Sequence, residues 1–446
     1  MVYPENFLDC IKSTLGEDFE DYMKYIEDEP FRGLRINRLK ADERILEKLG
    51  FDYRKAPFSP DGYYIPNSAK SVGNHPLHHA GAFYLQEPSA MSAATALDAQ
   101  PYERVLDLCA APGGKSTQIA SAMQGGGLLV ANEIVPSRAK ILAQNLERMG
   151  AKNTVVTNAR PDELAEKLKG FFDRIIVDAP CSGEGMLRRE PNIITEWQPQ
   201  NRQICADRQL KILDSADEML KVGGVLVYST CTLAEDENEQ VISNFIKSHP
   251  YYEIEEIQTQ FGRNAYKRFA PDIDIEKARR ILPPDGGEGH FVARLKKTED
   301  TGECFDFDDL KAENIDIVSQ FLCENFANFN GRYTTFNNFV QLVPEQLPKL
   351  KGIRIINRGV TIGELKGKRF EPSHALYTSS VPSELKNTLD LTLDDSRIHE
   401  FLKGMQIECD TQGYTAVTIE GITVGFGKAS GGRLNNRYPK GLRILG

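Results

Sequence analysis

Between Arg104 and Lys297 two kinds of segment alternate along the chain. RVLDLCA, LLVANE, NTVVTN, RIIVDAP and GVLVYSTC are short apolar runs and read as five buried strands. Between them STQIASAM, SRAKILAQNLERMG, ELAEKLKG and DRQLKILDSADEMLK carry their apolar positions at helical spacing. This alternation predicts an α/β domain: a Rossmann-like, doubly wound parallel sheet with helices on both faces. HFVARLKK, at 290–297, follows the turn-rich PPDGGEG and predicts a closing antiparallel strand.

The flanks have a different texture. Residues 1–98 are mixed α+β, with a helical opening, a basic stretch and a connector rich in Gly, Pro and Asn over Ser59–Pro76. Past Lys297 the pattern breaks at KKTEDTGE. An intermediate region of 299–385 follows, and 386–446 forms a compact end piece. There TAVTIEGITVGFGKASGGRL reads as short strands joined by Gly turns. The expected domains are therefore 1–98, 99–298, 299–385 and 386–446. HPLHH at 75–79 is read as a loop, not a metal site.

Composition narrows the class. A chain of 446 residues exceeds one ordinary domain. No apolar run approaches the roughly 18 residues of a membrane span, and MVYPENFLDC has no secretion-signal pattern. A cytoplasmic monomer without a membrane partner is expected. The eight cysteines, at 10, 109, 181, 205, 231, 304, 323 and 409, form no C-x-x-C pair, which disfavours zinc or a disulfide framework. Net charge is −10, which taken whole argues against a nucleic-acid partner. Local distribution says otherwise. FRGLRINRLK (31–40) has four basic residues and no acid, and 415–446 has five against Glu420 alone.

The first strand runs into CAAPGGKS and then a helix, a turn that brings backbone close to a ligand. Gly114, Lys115 and Ser116 fit a phosphate loop, but Cys109 stands where that motif needs its first glycine. Glu133, 19 residues beyond Gly114, ends the second strand, where a carboxylate accepts hydrogen bonds from ribose hydroxyls. A nucleoside suits this pair better than a triphosphate. A P-loop hydrolase is the rival, with Cys109 and Glu133 against it.

In a sheet of order 3-2-1-4-5, the carboxyl ends of strands four and five open onto the ligand crevice. DAPCSGEG and STCT then bring Asp178, Cys181 and Cys231 to one pocket. Such a set suits methylation at carbon 5 of cytosine. A thiolate adds to carbon 6, with a proton shared to N3, and carbon 5 becomes able to attack a methyl sulfonium. A free cysteine is only a few per cent thiolate at pH 7, so a cation such as Lys115 is needed nearby. Asp178 suits the N3 contact. Afterwards the carbon 5 proton must leave, which requires a base or a relay.

CAAPGGKS, DAPCSGEG and YSTCT resemble the motifs of the NOL/NOP/Sun family of RNA cytosine-5 methyltransferases, and more narrowly its bacterial RsmF-like branch. The likeness covers 99–298. FRGLRIN and GAFYLQEPSAM resemble the family's N-terminal segment, and the end piece is similar to a PUA-like RNA-binding domain. The resemblance implies that Cys231 is the nucleophile and that Cys181 helps release the product. It also implies an S-adenosylmethionine pocket lined by Cys109, Ala110, Ala111, Pro112, Gly113, Gly114, Lys115, Glu133, Arg138 and Asp178, with Lys115 and Asp178 close to the base. One departure is visible. Where the family commonly meets adenine with an acid on strand three, this chain has Asn158, then Arg160; Asn158 can still hydrogen-bond an amino group.

Chemistry on carbon 5 needs the base out of its stack, in a single-stranded or loop target. The basic stretches, with Arg188 and Arg189, are candidates to grip phosphates. Phe83, Tyr84 and Trp197 are candidates to stack, although such residues are more often core. By resemblance the partner is RNA, small-subunit (16S) ribosomal RNA first and transfer RNA second. Two rivals stay open: a DNA cytosine-5 methyltransferase with Cys181 as nucleophile, and an RNA-binding assembly factor on an inactive methyltransferase fold.

Overall fold

The computed structural model describes residues 3–299 and 313–444; Cys304 and the end of KKTEDTGE lie outside the described residues. At its centre the elements β1 (Arg104–Asp107), α1 (Gly114–Ala122), β2 (Leu128–Asn132), α2 (Pro136–Arg148) and β3 (Thr154–Asn158) are followed by β4 (Phe172–Asp178), α3 (Pro199–Met219), β5 (Leu220–Thr230) and β6 (His290–Lys297). The strands lie in the order 3-2-1-4-5-6. β1 to β5 pair in parallel, and β6 pairs antiparallel with β5.

Alternation within the strands divides the core between two faces, because successive side chains of a strand point opposite ways. Val105, Leu129, Ala131, Ile176 and Val227 pack with Ile119 of α1 and Leu142 and Leu146 of α2. Leu106, Val130, Ile175, Val177 and Leu226 pack with Leu213 and Ala216 of α3 and with Ile242 and Phe245 of the helix Glu239–Ser248. Each fully buried aliphatic side chain contributes about 1.5–3 kcal/mol. β1 stands between β2 and β4, so the chain reverses direction across the sheet there. The loops after β1, β4 and β5 consequently open at one end.

Several elements depart from the sequence reading. α3 starts at Pro199, eight residues before the expected helix, with the proline at its first position where the missing N–H costs nothing. The ELAEKLKG helix is short, Pro161–Ala165. Gly62–Ile65 inside the supposed connector is a strand. It belongs to a four-stranded antiparallel sheet with Arg54–Lys55, Arg32–Ile36 and Phe83–Leu85. HPLHH forms a four-residue helix, Pro76–His79, capped by the His75 side chain accepting from Leu77 N–H. Among the described residues no group of three His, Cys, Asp or Glu could hold a metal, and no helix is long and apolar enough to cross a membrane.

The C-terminal half holds two more sheets. One has four antiparallel strands between Arg332 and Pro372, and the other is a five-stranded sheet between Thr388 and Asn436. An unexpected strand, β7 (Arg354–Arg358), leaves the first of these regions and adds to the central sheet, pairing antiparallel with β3. The end piece packs on the N-terminal segment: Leu34, Leu77 and Phe83 share one core with Phe401, Val417, Val424 and Tyr438.

Candidate active site

The loop after β1 is shaped by its contacts with α2. Gly113 adopts φ +113°, and a Cβ there would meet Leu142 Cδ1 at 3.2 Å, so only glycine lets the turn lie this close to α2. Asn145 Nδ2 donates to the Pro112 carbonyl and an Arg138 guanidinium nitrogen to that of Ala111, both at 2.8 Å. Arg138 is thus more than a surface charge: it pins Cys109–Gly114 to α2. Glu133 follows β2 with its carboxylate largely buried. One oxygen accepts from Val135 N–H at 2.8 Å and the other lies 3.5 Å from Arg138. Asn158, at the end of β3, donates through Nδ2 to the carbonyls of Glu133 and Ile134, fixing the turn that carries Glu133.

The ends of β4 and β5 carry the second cluster. They are in register, Asp178 opposite Ser229. Asp178 accepts from Lys115 Nζ at 2.7 Å on one oxygen and from Ser229 Oγ at 2.7 Å on the other. Burial works against the Lys115 ammonium, but Asp178 outweighs it and raises the pKa, so the side chain stays a cation. The sulfurs of Cys181 and Cys231 stand 3.2 Å apart, and Cys231 N–H points at Cys181 Sγ from 3.4 Å. Its hydrogen bond to Cys231, reinforced by burial, holds the Cys181 thiol well above the ordinary range. It is a protonated thiol at neutral pH. Burial also pushes the Cys109 thiol far up, leaving it an inert apolar side chain.

Three acids that sequence reasoning passed over hold this cluster in place. Asp107, buried at the end of β1, accepts from Ser116 Oγ at 2.6 Å, and burial pushes its carboxyl up to about 7. Glu237 joins the two cysteine loops. It accepts from Ser182 N–H at 3.0 Å, from Ser182 Oγ, and from Gln209 of α3 at 2.9 Å, while Ser182 Oγ lies 2.8 Å from Thr232 Oγ1. Glu184, fully buried, binds Trp197 Nε1 and Arg202 Nε, each at 2.7 Å. Their signals were an acid inside the apolar run RVLDL, and a crowd of acids around PCSGEG and TCTLAEDENE. Gly185, in the same loop, donates to the Cys231 carbonyl at 3.0 Å, and a Cβ on it would strike the Gly289 backbone.

The expected RNA-gripping residues divide. Charges of the 31–40 stretch turn inward: Arg35 is buried and donates to the Gly114 carbonyl and Thr117 Oγ1, and Lys40 donates to the carbonyls of Ala80 and Thr423. Arg38 is paired with Asp61 and Glu43. Arg188 and Arg189 bind backbone carbonyls of Glu29 and Phe31. Phe83, Tyr84 and Trp197 are core. Of these, Arg35, Arg188, Arg189 and, through Phe7, Trp197 join the N-terminal segment to the catalytic domain. By contrast Lys428, Arg433, Arg437 and Lys440 of the end piece are exposed.

Comparison with known proteins adds four matches in chain order. Residues 94–296 match the family described as 16S rRNA methyltransferase RsmB/F, and 3–88 match the N-terminal domain of 16S rRNA methyltransferase RsmF. Residues 320–379 match the first C-terminal domain of RsmF, and 388–444 its PUA domain. The ribosomal RNA small subunit methyltransferase F of Shewanella piezotolerans is 33% identical, over 99% of this chain and 97% of that protein. Its counterpart from Escherichia coli O157:H7 is 30% identical over 99% and 96%. Among solved structures, a methyltransferase homologue from Pyrococcus horikoshii has 30% identity and a TM-score of 0.59, over 66% of this chain and 95% of that one. NSun6 of the same organism, solved with SFG, an analogue of S-adenosylmethionine, shares the fold at 22% identity and a TM-score of 0.58 over 67% and 99%. The catalytic sheet is Rossmann-like, the end piece is a PUA domain, and the chain belongs to the family of ribosomal RNA small subunit methyltransferase F, whose members depend on S-adenosylmethionine.

Proposed function

We propose that this protein methylates carbon 5 of a cytosine in small-subunit ribosomal RNA, through a covalent bond between Cys231 and carbon 6. The observation that carries the reading is the pair of sulfurs 3.2 Å apart, beside the Lys115–Asp178 ion pair. A mechanism with one thiol, on the loop after β4, leaves Cys231 without a task.

The donor set around the loop after β1 fits S-adenosylmethionine. Glu133 suits ribose hydroxyls, Asn158 lies next to it for the adenine, and the glycine turn gives close backbone approach. When bound, the cofactor supplies an electrophilic methyl group. Everything else falls to the chain. Lys115, kept a cation by Asp178, favours the thiolate of Cys231. The Cys231 thiol proton passes to N3, where Asp178 accepts the N3–H hydrogen bond, while the sulfur bonds to carbon 6 and the electron pair of the ring double bond moves to carbon 5. Once carbon 5 is methylated, a solvent water takes up its proton and the carbon–hydrogen pair re-forms the ring double bond. The carbon–sulfur bond then breaks with its pair left on the Cys231 sulfur, and N3 gives back its proton. Cys181, a protonated thiol, donates a hydrogen bond to the departing sulfur and so stabilises the Cys231 thiolate. Glu237 keeps the two loops at the spacing this requires.

Bisulfite sequencing of 16S RNA from cells with and without the gene tests the activity. Loss of 5-methylcytosine at one or a few positions is expected. An unchanged 16S pattern, with methylation lost instead from transfer RNA, would overturn the substrate assignment.

A further inference from the structure

A cavity of about 260 Å³ opens beside Cys181. Neither Asp178, Lys115 nor Cys231 lines it, so it is distinct from the place where the target ring must lie. Its floor is Cys181 and Ser182. One wall is a stripe of α3, Asn201, Ile204, Cys205 and Arg208, which share a face because they are spaced by three, four and seven residues. Ile193 and the edge of Trp197 close the other side. Ile204, 56% exposed, offers an apolar side chain at the cavity. Arg208 beside it is exposed and forms no ion pair among the described residues, and no acid lines the cavity.

From these features we infer that the cavity is a subsite for the nucleotide directly flanking the target cytosine. The inference rests on the proposed cytosine chemistry. A cytosine bonded to Cys231 keeps its neighbours within one sugar–phosphate unit, and this cavity begins at the sulfur 3.2 Å from the nucleophile. Its apolar walls suit the face of a nucleobase, which stacks without regard to sequence. Arg208 beside Ile204 suits the phosphate. The volume admits one base with part of its sugar.

Covalent capture of short oligoribonucleotides carrying 5-fluorocytosine at the target position tests this. Arg208→Ala should raise the RNA concentration for half-maximal capture on the order of tenfold, and leave the maximal rate and cofactor affinity unchanged. Ile204→Ala should weaken capture by about three- to tenfold on the intact RNA. On an RNA made abasic at the flanking position, each neighbour being tried in turn, Ile204→Ala should match the wild type, because nothing remains for Ile204 to touch. Equal capture by wild type and both variants, or an Ile204→Ala penalty that persists on both abasic RNAs, would overturn the subsite while leaving the chemistry standing. No adduct with the wild type on any fluorinated RNA would overturn the chemistry and the subsite with it.

Discussion

In the proposed reading Glu133 carries the nucleoside half of the site on a single side chain. Its carboxylate is already oriented by Val135 N–H and Arg138, so it meets ribose hydroxyls without reorganising. Glu133→Ala should weaken S-adenosylmethionine binding by about 1–3 kcal/mol, the scale for hydrogen bonds to a charged group. Titration calorimetry reads this directly, and unchanged affinity would remove Glu133 from the pocket. At this scale the sequence was most informative where a residue's type and its place at a strand end coincide, as for Glu133, Asp178 and the two cysteines. It was least informative about direction. Arg35 and Arg38 stand three residues apart in one basic run, yet the first is buried against Gly114 and the second pairs with surface acids. Charge is visible in a string of letters; the partner that makes burial affordable is not.

At the scale of elements, β4 and β5 present two loops that must stay in register for the sulfurs to meet. Backbone pairing sets Asp178 opposite Ser229, and beyond the strand ends Glu237 is the charged tie, beside Gly185 N–H on the Cys231 carbonyl and Ser182 on Thr232. Glu237→Ala leaves Ser182 and Gln209 without their buried acceptor, so the unfolding free energy should fall by about 1–3 kcal/mol in urea titration. Capture of fluorinated RNA should fall no further than that loss explains, whereas release of unmodified RNA should slow and adduct should build up, since the folded fraction still misplaces Cys181. Stability and release both unchanged would mean that Glu237 does not set the spacing of the loops. Near-continuous apolar runs made all five parallel strands legible, because strands covered on both faces need apolar residues on both. β7 was not legible. RIINR is a half-buried edge segment whose pairing with β3 spans about two hundred residues of sequence, and local periodicity says nothing about such a join.

The whole molecule carries a cluster of exposed basic residues at the C-terminal end of the chain. With the 31–40 arginines committed to contacts within the molecule, the PUA domain presents Lys428, Arg433, Arg437 and Lys440, of which Arg437 also reaches Glu371. That domain shares a core with the N-terminal segment, which in turn is fastened through Arg35 to the loop holding Lys115. Replacing Arg433, Arg437 and Lys440 by Gln should weaken RNA binding at low salt and flatten its salt dependence, with a slope change of at most about three phosphate contacts. Cofactor affinity should stay as it is. An unaltered salt slope would return the surface to a solvated face.

Covalent capture of RNA asks the entire molecule to bind substrate, extrude a base and attack it, and it separates the two thiols. With unmodified RNA and S-adenosylmethionine, Cys181→Ala is expected to attack and methylate, then release slowly, so that a protein–RNA adduct survives denaturing electrophoresis. Cys231→Ala is expected to bind RNA and form no adduct, because nothing remains to add to carbon 6. An adduct accumulating in Cys231→Ala and absent from Cys181→Ala would contradict the account and make Cys181 the nucleophile.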